Sequence, residues 1–535
     1  MSLLQRLRNR FFLELDLASW RGSLGGAVPA AGRGKTVLLC DLMSGVATRK
    51  AQALYARALA AHGFAPVVLM PGRDRLAERL YNAAQPTRFI RLDEQVDETM
   101  RAVAADRARQ MLAEDPDFTG LLTTEIDGVR IGRNVLSLVL RRLRTGRLDP
   151  ANSEHRRLAE EILTQSLIAK GAAERVLDSV RPDLALFNER GYTPAGEVFD
   201  LCIARGIDAV QWLGAPQADR LLFKRYRPAN RADHPLALDD ATWERAKASP
   251  WDGEAEGSLM AQLASNYVSG AWFNRQQLQS GKLHKPAEDV RAQLGIAPGR
   301  KLAAIFCHIL YDATFFYGDS LFADYEEWLV ETVRAAIANP SLDWIVKVHP
   351  VNVWRSRMDG EPMEQLEVQA LRRAFGELPP HVRVMPADTD VNSWSLFHAV
   401  DYGLTVRGTV GMELPCIGVP MVTAGTGRYA GRGFTMDPAN PEEYRALLAR
   451  LHEIPRLDES TVSLARRYAH ATFFRRPVPI RSFVLDFHAD TYGLPALGAN
   501  TLVREKPESA EDLRSLAAWM AEGVAGRADY LTAEP

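Results

Sequence analysis

The chain has 535 residues and a formal net charge of −2; 47% of its residues are hydrophobic and 25% are charged. This length exceeds one ordinary core and fits two or three globular domains. The near-zero charge offers no global basic field, so we expect no nucleic-acid partner. The four cysteines include no CxxC pair, which favours a reducing, cytoplasmic location. No apolar run approaches the roughly 20 residues that span a bilayer.

Residues 1–35 are predicted to form a helical N-terminal extension. The opening MSLLQRLRNRFFLELDLASW combines basic and apolar residues, and Glu14 and Asp16 interrupt any signal-like apolar core. Such a helix either packs on the protein surface or lies at the inner membrane, where it would give peripheral association.

Residues 36–214 are predicted to form a first Rossmann-like domain. An apolar strand, a helical pattern and a second strand open it, and strand character returns after a helical insertion at about 93–180. The predicted elements are the strands Thr36–Asp41, Pro66–Met70, Leu184–Asn188 and Asp208–Leu213, with a helix at Thr48–His62.

The second half repeats this alternation. A less regular connecting region, 215–299, has one helical piece near Ser258–Gln279, and residues 300–455 form a second Rossmann-like domain. Residues 456–535 are predicted to be a helical tail that crosses back to the first domain. We therefore predict an α/β protein with two Rossmann-like domains facing a cleft. The predicted strands include Leu302–Cys307, Asp343–His349, Val382–Met385 and Val419–Ala424, with helices at Ala323–Ala338, near Asn392–Ala399 and at Pro441–His452.

The stretch WIVKVHP predicts a buried strand that stops at Pro350. A residue before proline is pushed into extended geometry, so His349 is expected at the carboxyl end of the strand. Side chains alternate across a strand, so Lys347 and His349 are expected on one face. Because ligands of open α/β sheets bind outside the carboxyl ends of strands, both basic groups are candidates for binding phosphate.

The stretch TVRGTVGMELPCIGVPMVTAGTG predicts a strand, a glycine-containing turn, a short helix and another strand. Arg407 and the start of the helix at Gly408 and Thr409 are candidates for holding phosphate oxygens. Glu413 lies one turn further along the helix, and its carboxylate is expected to accept hydrogen bonds from ribose hydroxyls.

Other candidates follow predicted strands. His308 and Asp312 come after the first strand of the second domain, where they are expected to line the same crevice. Asp41 and Glu189 end strands of the first domain, and either carboxylate is a candidate general base facing the donor. Basic residues of the first domain form a candidate wall for an anionic acceptor: Arg190, and Arg133 among the six arginines of Gly128–Asp149.

The triplet Asp388-Thr389-Asp390 has the form of a metal-binding DxD sequence. It precedes a helix predicted to start near Asn392, which makes helix capping the better interpretation. We therefore expect neither a metal nor another cofactor.

The segments KVHP, TVRGTVGMELPCIGVPMVTAGTGRY and FCHILYDATFFYGD resemble the bacterial capsule polysaccharide biosynthesis proteins, which are related to the Kdo transferases of capsule assembly. The resemblance covers roughly residues 300–450, and DGVRIGRNVLS extends it weakly into the first domain. It implies a GT-B fold. By the resemblance, His349 and Pro350 match a motif that touches the donor phosphate, and Thr409 matches the Ser/Thr position of a second phosphate-binding motif. RGT replaces the serine-rich turn of many relatives, which leaves the donor open.

The residues and the resemblance together predict a metal-independent cytoplasmic glycosyltransferase. It would transfer a sugar from CMP-Kdo or another nucleotide sugar to a growing capsule polysaccharide or glycolipid. Two alternatives stay open: a sugar-nucleotide 2-epimerase of the same fold, and a non-catalytic subunit of glycan assembly.

Overall fold

The computed structural model describes residues 3–26, 34–43, 45–217, 219–270, 281–353, 365–485, 501–523 and 529–530. Its strands form two large sheets and one small antiparallel pair. In chain order they are β1 Lys35–Cys40, β2 Phe64–Met70, β3 Arg88–Arg91, β4 Leu184–Phe187, β5 Asp208–Gly214, β6 Arg220–Tyr226, β7 Leu302–Phe306, β8 Asp343–Lys347, β9 Val382–Met385, β10 Tyr402–Thr405, β11 Met421–Thr423, β12 Val478–Pro479, β13 Phe483–Leu485 and β14 Thr501–Val503.

The first sheet has the order β12-β6-β5-β4-β1-β2-β3. The strands from β5 to β3 are parallel, whereas β6 and β12 pair antiparallel at one edge. These two edge strands come from ranges that the sequence assigned to the connecting region and the tail. The Rossmann-like core of the sheet is thus extended by later parts of the chain.

The second sheet has the order β11-β10-β7-β8-β9, and all of its strands are parallel. Counted within its own domain, this order is the same as that of β5-β4-β1-β2-β3 in the first sheet. In both sheets the chain adds two strands on one side of the first strand and then crosses to its other side. The protein therefore contains two Rossmann-like domains, as predicted from the alternation of strands and helices.

Both sheets are covered on both faces, which explains why their strands are continuous apolar runs. Leu38 and Phe187 contribute to one core of the first domain, and their neighbours Leu39 and Leu186 contribute to the core on the opposite face. In the second domain the residues of β7 alternate in the same way between two further cores. The described helices are Leu3–Leu24, Val46–Ala61, Arg75–Ala84, Glu98–Glu114, Thr119–Thr123, Ile131–Leu143, Ser153–Val180, Ala195–Ala204, Asp240–Ala248, Gly253–Val268, Ala287–Gln293, Tyr325–Ala338, Leu366–Phe375, Ser393–Ala399, Val410–Glu413, Pro441–Ala449, Glu459–His470 and Glu511–Ala521.

The helices confirm the predicted helical insertion, because only helices and turns occupy most of the range between β3 and β4. The helix predicted near Ser258–Gln279 is Gly253–Val268; a turn follows at residues 269–270, and residues 271–279 of the prediction lie outside the described residues. Within the described part of the chain, no helix is long and apolar enough to cross a membrane.

The end of the chain packs on the first domain. The guanidinium of Arg57 forms hydrogen bonds of 2.7 and 2.8 Å with the carboxylate of Glu508. Trp519 and Met520 of the last helix belong to the same core as the helix Val46–Ala61. The tail therefore ties the second half of the chain to the first.

The two domains meet along a seam formed by residues 309–320, the segment that follows β7. Phe316 of this segment is buried in a core of the first domain and packs edge-on against Tyr192. A Cβ atom on Gly191 would lie 2.3 Å from the Phe316 ring, so only glycine permits this approach. The backbone N–H of Gly318 also donates to the carbonyl of Ala232, at 2.8 Å.

Candidate functional site

The topology defines one crevice in each domain. Where the connections after two neighbouring parallel strands run to opposite sides of the sheet, a crevice opens at the carboxyl ends of those strands, and ligands of open α/β sheets bind at such switch points. In the first sheet the switch point lies between β1 and β4, where Asp41 and Glu189 follow the strands. In the second sheet it lies between β7 and β10, where His308 and Arg407 are close to the strand ends.

The His308 ring is fixed at the second switch point. Its Nε2 atom accepts the backbone N–H of Arg407 at 3.2 Å and lies 3.1 Å from the Thr405 hydroxyl. Burial lowers the pKa of His308 well below its ordinary value, and the nearby charges of Arg407, His349 and Arg428 lower it further. The ring is therefore neutral, and its proton lies on Nδ1 because Nε2 is an acceptor.

Arg407 presents buried N–H groups that the protein does not use. One guanidinium nitrogen, Nη2, contacts the carbonyl of Asp319 at 3.1 Å and the Ser320 hydroxyl. The side chain is only 3% exposed, and its Nε and Nη1 atoms have no hydrogen-bond partner among the described residues. Buried charged donors without partners are costly, so these two nitrogens favour an anionic ligand.

Arg428 is a second cation of this crevice that the sequence analysis did not select. It follows the loop after β11 and contacts the His234 ring through Nη2, while its Nε is buried without a partner among the described residues. Burial lowers the pKa of Arg428, and the charge of Arg407 contributes to this decrease. The sequence did contain a signal for Arg428: this residue ends the run TAGTGR, which starts at the last residue of β11, the strand beside β10.

His349 follows β8 as predicted. Lys347, however, does not lie beside His349 at the crevice. Val351 begins a helical turn and donates its N–H to Nδ1 of His349 at 3.2 Å, which leaves Nε2 as the outer ring atom. His349 contributes to the lowered pKa of His308, so its ring lies near that of His308 beside the crevice, and Pro350 follows it in the chain. Lys347 is buried, and its Nζ donates to the carbonyl of Val348 at 3.1 Å.

The environment of Lys347 disfavours its charge. Burial lowers the pKa of Lys347 to about 7, and the neighbouring charge of Lys282 acts in the same direction. A buried ammonium that donates to the carbonyl of the next residue is a weaker phosphate ligand than an accessible one. The structure thus gives Lys347 a more internal place than the alternation of side chains predicted.

The turn after β10 is tightly packed. The N–H of Gly408 donates to the Thr405 hydroxyl at 3.1 Å, and a Cβ on Gly411 would lie 1.9 Å from the Tyr429 hydroxyl. Thr409 precedes a helix of only four residues, and its side chain does not cap that helix. Glu413 is fully buried and accepts a hydrogen bond of 2.7 Å from Tyr267. Its contact with a ribose stays a prediction.

Glu189 is the carboxylate of the first crevice that faces the seam. Its Oε1 atom accepts the backbone N–H groups of Arg190 at 2.8 Å and Gly191 at 3.2 Å. Burial raises the pKa of Glu189, the nearby Arg141 opposes this rise, and Asp312 adds to it. Its Oε2 atom forms no hydrogen bond with another described residue, so it can receive a proton.

Asp41 lies deeper than Glu189. Its side chain is fully buried, and Oδ2 forms an ion pair of 2.9 Å with Arg49. Arg49 also pairs with Asp74 at 2.7 Å. These contacts hold Asp41 within the first domain.

Asp312 was predicted to line the second crevice together with His308. In the structure it instead forms contacts between the two domains. Its Oδ1 atom accepts a hydrogen bond of 2.7 Å from Tyr192 and lies 3.4 Å from Nη1 of Arg141. The Arg141 guanidinium stacks on the Tyr192 ring at 4.5 Å. Asp312 therefore lies beside Glu189, at the seam.

The two arginines predicted to bind the acceptor are also part of the seam. Arg190 is fully buried and donates to Gln211, to the carbonyl of Arg231 at 2.7 Å and to that of Asp233 at 2.6 Å. Arg133 donates to the carbonyls of Phe315 and Gly318, both at 3.2 Å. The contacts of Arg133 hold the segment 309–320 on the first domain, whereas those of Arg190 hold the chain that follows β6 against β5.

The DxD triplet has local partners. Asp390 pairs with Lys285 at 2.6 Å, and the side chain of Asn392 caps the helix Ser393–Ala399. No cluster of three or more potential metal-ligating side chains occurs within the described ranges.

No family model matches the sequence, and no curated protein matches it either. Several solved structures are similar to the chain. The beta Kdo 2,4 transferase KpsC of Thermosulfurimonas dismutans is 14% identical, covering 57% of this chain and 82% of that one, with a TM-score of 0.30. The UDP-GlcNAc 2-epimerase of Neisseria meningitidis, bound to UDP-GlcNAc, is 12% identical over 82% of this chain and 97% of that one, with a TM-score of 0.25. A glycosyltransferase of Rickettsia africae is 8% identical over 82% and 94% of the two chains, with a TM-score of 0.27.

Proposed function

We propose that the protein is a glycosyltransferase that moves a sugar from a nucleotide-sugar donor to a growing surface polysaccharide or glycolipid. CMP-Kdo and other nucleotide sugars are the candidate donors. One observation carries the proposal: the second crevice contains buried guanidinium nitrogens that have no hydrogen-bond partner among the described residues. The carboxylate of Glu189 in the first crevice, whose pKa is raised by burial, supports it. The motifs that resemble capsule biosynthesis proteins lie on this second crevice.

The second domain would bind the nucleotide. Arg407 supplies Nε and Nη1 to phosphate oxygens, and His308 supplies its Nδ1 proton. His349 lies beside them, and the Gly408–Thr409 turn follows Arg407 at the same edge of the sheet. Substitution at the anomeric carbon develops negative charge on the departing phosphate, so preorganised donors at that place lower the barrier.

The first domain would activate the acceptor. As a bond forms between the acceptor oxygen and the anomeric carbon, the bond to the phosphate oxygen breaks, and the acceptor proton passes to Oε2 of Glu189. A raised pKa suits a group that must accept this proton near neutral pH. We propose Glu189 as the base in preference to Asp41, because Arg49 already pairs with the buried Asp41 carboxylate.

The acceptor would enter at the seam. Arg141 is 42% exposed and lies next to Glu189, which makes it a better acceptor ligand than the buried Arg190. We also propose that the helix Leu3–Leu24 supports peripheral membrane association, because its Phe11 and Leu15 are exposed.

The test is a product analysis with a panel of nucleotide sugars, each incubated with and without capsule oligosaccharide or glycolipid acceptors. The proposal predicts nucleotide release and a lengthened acceptor only when both substrates are present. Conversion of the sugar nucleotide without an acceptor would instead show an epimerase. No turnover with any pair would favour a non-catalytic subunit.

A further inference from the structure

We infer that Asp312 of the second domain is a positioning residue for Glu189 of the first: it holds the Arg141 guanidinium in place and prevents it from pairing with that carboxylate. The inference rests on the proposed role of Glu189 as the base of a glycosyl transfer. Asp312 lies on the segment 309–320, which begins directly after His308 of the second crevice. The second domain would therefore complete the surroundings of a base that the first domain supplies.

Two contacts position the Arg141 guanidinium. Its Nη1 atom lies 3.4 Å from Oδ1 of Asp312, and its central carbon lies 4.5 Å from the centre of the Tyr192 ring, on which it stacks. The Arg141 side chain is 42% exposed, and a long exposed side chain loses much rotamer freedom when it is held in one position. The attraction of Asp312 therefore favours the observed position over other rotamers of Arg141.

Asp312 is itself anchored on the first domain. Its Oδ1 atom accepts the Tyr192 hydroxyl at 2.7 Å, and the same hydroxyl accepts the backbone N–H of Ala313 at 3.0 Å. The backbone N–H of Asp312 donates to the carbonyl of Ile309 at 3.0 Å, which closes the turn that carries the carboxylate. Phe316 of the same segment packs edge-on against the Tyr192 ring. Tyr192 therefore fixes the carboxylate that in turn fixes the guanidinium.

Glu189 is the carboxylate with which Arg141 would pair if Asp312 did not hold it. Burial raises the pKa of Glu189, Arg141 lowers it and Asp312 raises it, so both charged groups lie close to the base. A buried carboxylate attracts a nearby guanidinium strongly, because little water screens the pair. An ion pair between Arg141 and Glu189 would lower the pKa of the base and obstruct the oxygen that must receive the acceptor proton.

The other titratable groups around Glu189 do not perform this task. Burial raises the pKa of both Tyr192 and Tyr317, so these side chains are neutral near pH 7. Arg190 contacts the base through its backbone N–H, and its guanidinium donates to backbone carbonyls of the chain that follows β6. The charge balance at the base therefore depends on the guanidinium–carboxylate pair at the seam.

The experiment titrates Glu189 directly by 13C NMR, with glutamate labelled at its side-chain carboxyl and the signal identified by its absence from Glu189→Gln. Asp312→Asn should lower the pKa of Glu189 by about 0.5 pH unit or more, because Arg141 then turns to the base. Arg141→Gln should raise this pKa only slightly in the wild type, but by about 0.5 pH unit or more when combined with Asp312→Asn. Two independent charges would instead give additive changes. Equal effects of Arg141→Gln in both backgrounds, or an unchanged pKa in Asp312→Asn, would overturn the inference.

Arg142→Gln is the matched control. Arg142 adjoins Arg141 on the same helix but pairs with Glu161 at 3.3 Å, so its removal should leave the titration of the base unchanged in either background. The same change in Arg142→Gln as in Arg141→Gln would indicate a general field of the helix and overturn the inference. If Asp312→Asn does not fold, Tyr192→Phe decides by the same criterion, because it keeps the ring under Arg141 and removes the hydroxyl that anchors Asp312.

The titration needs no substrate, which separates this inference from the proposed function. If no donor and acceptor react while Glu189 titrates as expected, the proposed function fails alone. If transfer is measurable but the pKa of Glu189 does not change in Asp312→Asn, the inference fails alone. In an active enzyme, the acidic limb of the pH–rate profile of Asp312→Asn should move to lower pH by the shift that NMR measures.

Discussion

The two crevices of this protein have the same strand order and opposite chemistry. In the first domain, carboxylates follow the strands at the switch point; in the second, a histidine and an arginine take these places. The fold therefore supplies a crevice twice, and the residues directly after the strands decide what each one binds. In our account the basic crevice holds the donor phosphates, and the acidic one receives the acceptor proton.

Two buried arginines, Arg190 and Arg407, show how a framework residue differs from a ligand-binding one. Arg190 is fully buried and uses Nε, Nη1 and Nη2 as hydrogen-bond donors. Arg407 is as deeply buried, but two of its nitrogens have no partner among the described residues. A satisfied buried cation stabilises a framework, whereas an unsatisfied one indicates a place for a ligand.

The largest expected effect comes from the acidic crevice. Glu189→Gln keeps the oxygen that accepts the Arg190 and Gly191 N–H groups but removes the base. We expect the transfer rate to fall by about 100- to 10,000-fold. Because the pKa of Glu189 is raised, the wild-type rate should increase with pH as the carboxylate ionises, and the variant should lose this dependence. A variant with a normal rate and pH profile would remove Glu189 from the chemistry.

The second effect contrasts the two arginines. Arg407→Gln should lower donor turnover by about 100-fold or more. It should cost less stability than Arg190→Gln, because it loses only the Nη2 contacts to Asp319 and Ser320, and its other two side-chain nitrogens have no partner among the described residues. Arg190→Gln should lower the free energy of unfolding by on the order of 3 kcal/mol, because buried carbonyls lose their donor. Steady-state kinetics and urea unfolding of both variants test this. The contrast fails if Arg407→Gln destabilises the protein as much as Arg190→Gln does.

The third prediction distinguishes the proposed base, Glu189, from Glu197, a buried carboxylic acid with a structural role. Glu197 accepts hydrogen bonds from Ser166 at 2.5 Å and Thr193 at 2.8 Å, and burial raises the pKa of Glu197 to about 7. A folded pKa above the unfolded value stabilises the protein at low pH, and this contribution disappears as pH rises from about 4.5 through about 7.

Glu197→Gln should therefore remove a fall in unfolding free energy of up to about 3 kcal/mol over that pH range. Urea unfolding at pH 5 and pH 8 measures it, with the pH profile of the rate as the control. An unchanged stability slope would show that Glu197 is not the source of the pH dependence of stability, and a changed rate profile would show that Glu189 and Glu197 do not act separately.

The smallest effect concerns the seam that brings the crevices together. Gly191→Ala places a Cβ 2.3 Å from the Phe316 ring and should destabilise the protein by about 1–3 kcal/mol. Gly257→Ala is the control and should not destabilise, because an added Cβ there would meet no described atom outside its own helix within 4 Å. The double variant Gly191→Ala with Phe316→Leu should recover part of the loss, and no recovery would mean that Phe316 is not the source of the clash.

The sequence predicted most of the buried parallel strands, because such strands are short apolar runs between turn residues, but it missed β3 and the antiparallel strands β6, β12, β13 and β14. Val382–Met385 has the predicted bounds, and β4 ends one residue before the predicted Asn188. The residues that follow the strands, His308 and Arg407 among them, could therefore be assigned to the carboxyl edge from pattern alone.

Side-chain direction could not be predicted in the same way. Lys347 and His349 would share a face only in a continuous strand, but β8 ends at Lys347 and a helical turn begins at Val351. The partners of Glu413 and Arg190 lie far along the chain: Tyr267 is 146 residues from Glu413, and Arg231 is 41 residues from Arg190. No local pattern reveals such contacts. Only the structure shows which side chains are buried and which of their polar atoms form hydrogen bonds.

The most direct test of the central claim is nucleotide binding, measured by calorimetry for the wild type, Arg407→Gln and Glu189→Gln. If the basic crevice binds the donor and the acidic crevice performs the proton transfer, Arg407→Gln loses about 10-fold or more in nucleotide affinity. Glu189→Gln should bind the nucleotide as the wild type does and still fail to transfer. Unchanged affinity in Arg407→Gln, or lost affinity in a folded Glu189→Gln, would contradict this division between the two crevices.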